Sequence, residues 1–169
     1  MNVLARGYAI LAVGFATLAV PLALSAKATA SVFALEGAGL VWLGLTQDRR
    51  LARWTGLGLQ LAAAGALAIG VSGSHLGATT AIANAAFMGA LLIAVAGFAT
   101  AWWYRSAGNL QVATVAYLWA LAWWLGNVIL EIGDFVEVDS RLHAVLLLLG
   151  VTGWLAAEVQ RRAPALALS

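Results

Sequence analysis

Phe33-Ala34-Leu35-Glu36-Gly37-Ala38-Gly39-Leu40-Val41-Trp42-Leu43-Gly44-Leu45, followed by Thr46-Gln47-Asp48-Arg49-Arg50-Leu51-Ala52-Arg53, decides the fold. One carboxylate stands inside an otherwise apolar run, and a cluster of arginines closes it. A charge within a helix of bilayer length costs about 3 kcal/mol on insertion scales, so Glu36 must be neutral, paired or facing a wet cavity. The arginines that follow mark the end of the helix that faces the cytoplasm.

The rest of the chain has the same character. Of 169 residues, 63% are hydrophobic and only 9% charged, and the mean hydropathy of +0.93 lies far from the balance of soluble domains. The expected class is therefore all-α, a polytopic transmembrane helical bundle. At about 20 residues per crossing plus short links, this length accommodates about six spans in a single bundle over residues 1–169, with almost nothing left for a soluble domain. The net charge is +2, but nine basic residues scattered along the chain form no phosphate-binding stripe, which excludes nucleic acid as a partner. With no cysteine there is no disulfide, thiolate nucleophile or zinc-thiolate site.

The first predicted span covers roughly residues 8–24, after Arg6 and with Pro21 in its last turn. Its charged start, apolar middle and the tripeptide Ala26-Lys27-Ala28 also fit a cleaved secretory signal, although the length of the run favours retention. The second, residues 28–45, carries Glu36, and Ala26, Ala30, Ala34 and Ala38 recur at every fourth position. The third, residues 54–71, repeats the device with Gly58, Ala62, Ala66 and Gly70. Such stripes suit close helix packing in lipid and predict a tight hairpin linked by the basic stretch 46–53.

Ser72 to Thr80, with His75, reads as an exposed turn before a fourth span at residues 81–104. That span ends in Trp102-Trp103-Tyr104-Arg105, an aromatic belt followed by arginine, the mark of a cytoplasmic interface. The fifth, residues 112–132, is rich in tryptophan, with Trp119, Trp123 and Trp124, and leads into an acidic segment: Glu131, Asp134, Glu137 and Asp139, with Arg141 the one base. The sixth covers residues 142–159. With six spans and a cytoplasmic start, Arg6, Arg49, Arg50, Arg53, Arg105, Arg161 and Arg162 fall on one side and Lys27 and Arg141 on the other. That asymmetry predicts both ends in the cytoplasm and the acidic segment outside.

Ala34-Leu35-Glu36-Gly37, then Trp42-Leu43-Gly44, then the basic turn into Trp54-Thr55-Gly56-Leu57-Gly58-Leu59-Gln60 form an ordered set. Together with Asn84-Ala85-Ala86-Phe87 leading into Ala101-Trp102-Trp103, and Trp119 to Trp124 leading into Glu131-Ile132, the chain resembles domain-of-unknown-function family 2339, predicted bacterial multi-pass membrane proteins. The resemblance spans most of the chain and is sharpest in the Leu-Glu-Gly to Trp-Leu-Gly helix. It implies a polytopic protein of the bacterial inner membrane with Glu36 at the family's Leu-Glu-Gly position. Family members are typically much longer, so this chain looks like a fragment or a reduced member. The family implies no established reaction, substrate or cofactor.

The polar residues within the spans are the candidates for function. Counted from Ala28, Glu36 lies about eight residues or about 12 Å deep, in the outward half of the membrane. Asn127, Glu131 and Asp134, spaced by four and three, share a face of the fifth span at the same leaflet. Were the second and fifth spans neighbours, Glu36 and Glu131 could share a proton or a cation, the core of an outward-facing carboxylate site with Asn127. The simpler expectation is that Glu36 is a packing group satisfied by Gln60, Asn84 or a backbone carbonyl. Glu131, Asp134, Glu137, Asp139 and His143 are the residue types of a hard-cation site, but their spacing matches no coordinating loop, and an acidic solvated turn explains them better. Ser72, Ser74, Thr79 and Thr80 near His75 supply the residue types of hydrolysis without a motif around them, and Gly56-Leu57-Gly58 lies in an apolar helix instead of a phosphate-cradling turn. No catalytic, cofactor or metal residue is assigned. The leading functional expectation is a non-enzymatic envelope scaffold or subunit whose partners are the lipid bilayer and other membrane helices. An ion- or proton-coupled transporter is the alternative, and a membrane-embedded enzyme on a lipid-linked substrate comes third.

Overall fold

The computed structural model describes residues 26–72 and 80–162. The first predicted span with Arg6 and Pro21, His75 with Ser74 and Thr79, and the tail 163–169 lie outside the described residues. Five α-helices follow one another: α1 Ala26–Thr46, α2 Arg50–Ser72, α3 Ala85–Ser106, α4 Leu110–Phe135 and α5 Val138–Arg162. The fold is all-α among the described residues. Four stretches, Ala28–Thr46, Ala85–Ser106, Leu110–Phe135 and Val138–Val159, are long and apolar enough to cross a membrane. The described part of α2, which opens on Arg50 and Arg53 and carries Gln60, is not among them.

The helix limits depart from the expected ones where capping overrides polarity. Asn84 forms the N-cap of α3, its Oδ1 accepting from the Phe87 N–H at 2.8 Å, so the helix starts at Ala85 instead of residue 81. In α2 the arginines are no barrier, and the helix starts at Arg50 instead of residue 54. The expected acidic loop is mostly helix: Glu131 and Asp134 belong to α4, Asp139 lies in the first turn of α5, and only Val136 and Glu137 separate the two. Arg141 holds this turn together, donating to the carbonyls of Gly133 at 2.7 Å and Val136 at 3.0 Å.

α1 and α2 form the most intimate pair, an antiparallel hairpin. On α1 the seam holds Ala30, Phe33, Ala34, Gly37, Ala38, Val41 and Gly44, and its central line, Ala30, Ala34, Gly37, Val41 and Gly44, alternates steps of four and three, as a straight contact line on a helix requires. Ala30, Ala34 and Ala38 of the expected stripe lie in it. On α2 the expected stripe is displaced: open space surrounds Gly58, Ala62 is exposed, and the buried line is Gly56, Gln60, Ala63 and Leu67. A strict four-residue repeat advances about 40° past each full turn, so it winds away from the line of contact. At the crossing the backbones touch: a methyl group at Gly37 would meet the Gly56 carbonyl oxygen at 2.6 Å, and one at Gly56 the Gly37 oxygen at 2.5 Å.

α3 lies against this hairpin and runs parallel to α1. Ala30, Ala34 and Ala38 share one core cluster with Ala90, Ile93 and Ala96, while Val41 meets Tyr104 and Ala113 in a second. α4 returns along α3, and the pair closes at Gly97, where an added methyl would stand 2.9 Å from Ala120 Cβ. Among the described residues, α5 packs on α4 alone, with Trp124 Nε1 donating to Thr152 Oγ1 at 3.1 Å. The tight turns α1–α2 and α3–α4 therefore lie at one end of the molecule. In the first, Asp48 adopts a left-handed φ of 50° and pairs with Arg53, whose Nε donates to the Gly44 carbonyl at 2.9 Å, placing a cation at the C-terminus of α1. In the second, Gly108 takes φ 79° and Asn109 caps α4 through Val112 N–H at 3.2 Å. Arg49, Arg50, Arg53, Arg105 and Arg161 gather at this end, and Glu131, Asp134, Glu137 and Asp139 at the other.

Candidate functional site

Glu36 is the eleventh of the 21 residues of α1, so it stands at mid-length, about 15 Å from either end and deeper than a count from Ala28 placed it. Its side chain is exposed on the face of α1 that turns away from α2 and α3, and Gly39, which has open space around it, lies between it and the exposed side chains of Leu35 and Trp42. No described residue offers it a hydrogen bond or an ion pair. The shelter expected from Gln60 or Asn84 is absent because both amides are engaged elsewhere.

Gln60 is buried, and its Nε2 donates to Thr100 Oγ1 at 2.7 Å, joining α2 to α3 in the middle of the core. Thr100 is fully buried and carries no sequence signal beyond being the one hydroxyl in its stretch of α3. A second buried hydroxyl, Thr29 Oγ1 near the start of α1, has no hydrogen-bond partner among the described residues.

Asn84, Asn127 and Glu131 do come together, around the N-terminus of α3. Glu131 Oε1 accepts from Asn84 Nδ2 at 3.0 Å and from the Ile82 N–H at 2.6 Å, while Asn127 Nδ2 donates to the Phe87 carbonyl at 3.1 Å. The spacing of four between Asn127 and Glu131 is what lets both reach α3 from one face of α4. Ile82 holds a φ of 64°, unusual for a β-branched residue, and the carboxylate bonded to its N–H fixes that conformation. A carboxylate also suits the positive end of a helix dipole. The arrangement is chemically an extended N-cap supplied by a neighbouring helix.

The two carboxylates that might have formed one site are separate. Among the described residues, α4 approaches the hairpin at Ala113, which shares a cluster with Val41, and through the indoles of Trp119 and Trp123, themselves edge-to-face at 5.9 Å, whereas Glu36 stands on the exposed face of α1. Asp134, Glu137, Asp139 and His143 are all exposed, and among the described residues no three metal-ligating side chains converge. A shallow hollow at the α3–α4 turn is lined by Ala107, Gly108, Asn109, Leu110 and Gln111, none of them titratable.

Comparison with known proteins adds one finding. Residues 1–168 match the family model described as "Predicted membrane protein (DUF2339)". No curated protein and no solved structure matches.

Proposed function

Because the chain belongs to the DUF2339 family of predicted membrane proteins, we propose that it is a non-enzymatic scaffold or subunit of the bacterial inner membrane. Four helices of membrane-crossing length and apolarity support an integral location. One observation carries the reading: the amide side chains within the bundle, with Glu131, are consumed by holding helices together, while large apolar faces stay uncovered. Gln60, Asn84, Asn127 and Glu131 each have an internal partner. On α5, by contrast, Leu147 is 70% exposed and Trp154 65%. In a bilayer such faces are available to lipid and to other helices, whose association relies on packing and interhelical hydrogen bonds. The excess of arginine at one end supports an orientation with that end in the cytoplasm.

The second reading, an ion- or proton-coupled transporter, rests on Glu36 alone, a carboxylate at mid-helix without a described partner. Reconstitution of the full chain into vesicles loaded with a pH-sensitive dye separates the two. A scaffold leaves proton leak at the level of empty vesicles under an imposed gradient. Flux abolished by Glu36→Gln would replace the scaffold reading with the transporter.

A further inference from the structure

We propose that the outer face of α1 around Glu36 is a docking surface for a membrane helix of another protein that carries a lysine or arginine at mid-depth. The inference rests on the scaffold reading and names the chemistry of the partner.

Three observations carry it. The first is position: Glu36 is the middle residue of α1, in a stretch whose length and apolarity suit a crossing, so its carboxylate lies near the centre of the hydrocarbon. The second is isolation. Gln60, Asn84 and Asn127 are spent on Thr100, Glu131 and the Phe87 carbonyl, and the described arginines gather at the ends of the bundle. The third is the shape of the face, where Leu35 and Trp42, 52% and 50% exposed, flank Gly39, beside which there is open space.

To stay ionised while facing hydrocarbon at that depth, the carboxylate needs a group beside it that donates to it, and a cation satisfies it best. A second copy of the described bundle has no such cation to offer at mid-depth, so charge complementarity favours a different chain. Gly39, one turn from the carboxylate, lets the partner's backbone come close enough for a lysine or arginine to reach Glu36 without extending along the lipid. Leu35 and Trp42, one turn below and above Gly39, then provide the apolar contact on the side of the face opposite Glu36.

The test uses the full chain in phosphatidylcholine–phosphatidylglycerol vesicles with a synthetic leucine-alanine helix of bilayer length bearing one central lysine, association being read by energy transfer. The lysine helix is expected to bind about tenfold more tightly than the same helix with leucine there, as an interhelical polar contact in lipid allows. Glu36→Gln and Gly39→Leu should each remove most of that advantage, the first by deleting the charge and the second by blocking approach, while Asp134→Asn leaves it intact. Both changes lie on an uncovered face, and unchanged helical circular dichroism verifies the fold. Equal binding of the lysine and leucine helices, or an advantage that survives Glu36→Ala, overturns the proposal. So does an asparagine helix binding as tightly as the lysine helix, since a neutral donor would then suffice. Glu36-dependent self-association of the chain without peptide overturns it in favour of a second copy. Loss of this docking with no Glu36-dependent proton flux leaves the scaffold reading standing, whereas such flux removes that reading itself.

Discussion

Glu131 holds two donors of the segment before α3, so replacing it by alanine frees the Ile82 N–H, leaves the Asn84 amide only its longer bond to the Thr80 carbonyl at 3.4 Å, and removes an anion from the N-terminus of α3. The expected loss is about 1–2 kcal/mol, moderated by partial exposure of these groups. Glu131→Gln keeps the acceptor and should lose only about 0.5 kcal/mol, the helix-dipole contribution. Thermal unfolding in detergent, followed by circular dichroism, should rank wild type above Gln and Gln above Ala. Equal behaviour of the two variants would mean that the carboxylate caps nothing. Thr100→Val deprives the buried Gln60 of its acceptor and should cost about 1–3 kcal/mol. Adding Gln60→Leu should cost less than the sum of the single changes, because no unpaired group then remains in the core. The sequence singled out every one of these polar residues except Thr100, since a polar side chain within an apolar run is conspicuous. Their pairing was not legible. Asn84 and Glu131 are 47 positions apart, Gln60 and Thr100 are 40 apart, and only the packing of helices decides which of several available partners each one meets. Glu36 shows the same limit, because burial cost says that an acid in lipid must be neutral, paired or wet and is silent about which molecule would pair with it.

Among the elements, the α1–α2 crossing is the most sensitive to a single methyl group. Gly37→Ala would drive a Cβ to 2.6 Å from the Gly56 carbonyl oxygen, and backbone on both sides leaves little room to yield. Overpacking of this kind costs about 1–3 kcal/mol. Gly58→Ala, on the same hairpin but in open space, should be neutral or stabilise by up to about 1 kcal/mol, as alanine is the better helix former. Comparing the two variants by thermal unfolding tests the phase of α2 directly, and a reversed order would restore the stripe through Gly58 and Ala62 as the contact face. That phase was the part of the hairpin the sequence misrepresented. On α1, alanines at 30, 34 and 38 happen to lie within the seam, whereas on α2 the small residues are frequent enough to draw a stripe on either face. What distinguishes the true face is Gln60, a polar residue that must be satisfied inward, and Gly56, whose missing side chain is needed for contact.

For the whole molecule, class was legible from hydropathy alone, because apolar stretches of bilayer length have few other stable fates. Membership of one bundle was less so: α5 touches only α4 among the described residues, and most of its leucines face outward. The direction of the helices supplies the last prediction. α1 and α3 run parallel, α4 and α5 form the next hairpin, and the described arginines other than Arg141 therefore meet at one end while Glu131, Asp134, Glu137 and Asp139 meet at the other. If charge sets orientation, the turns at Gln47 and Gln111 face the cytoplasm and the turn before α5 faces outward. The chain contains no cysteine, so single substitutions at the exposed positions Gln47, Gln111 and Ser140 report on location without background. With intact spheroplasts, a membrane-impermeant maleimide should label Ser140→Cys at once and label Gln47→Cys and Gln111→Cys only after permeabilisation. The opposite pattern would invert the orientation. Labelling of Gln47→Cys on the same side as Ser140→Cys would be more serious, since α1 and α4 could not then both cross between the two ends of the bundle.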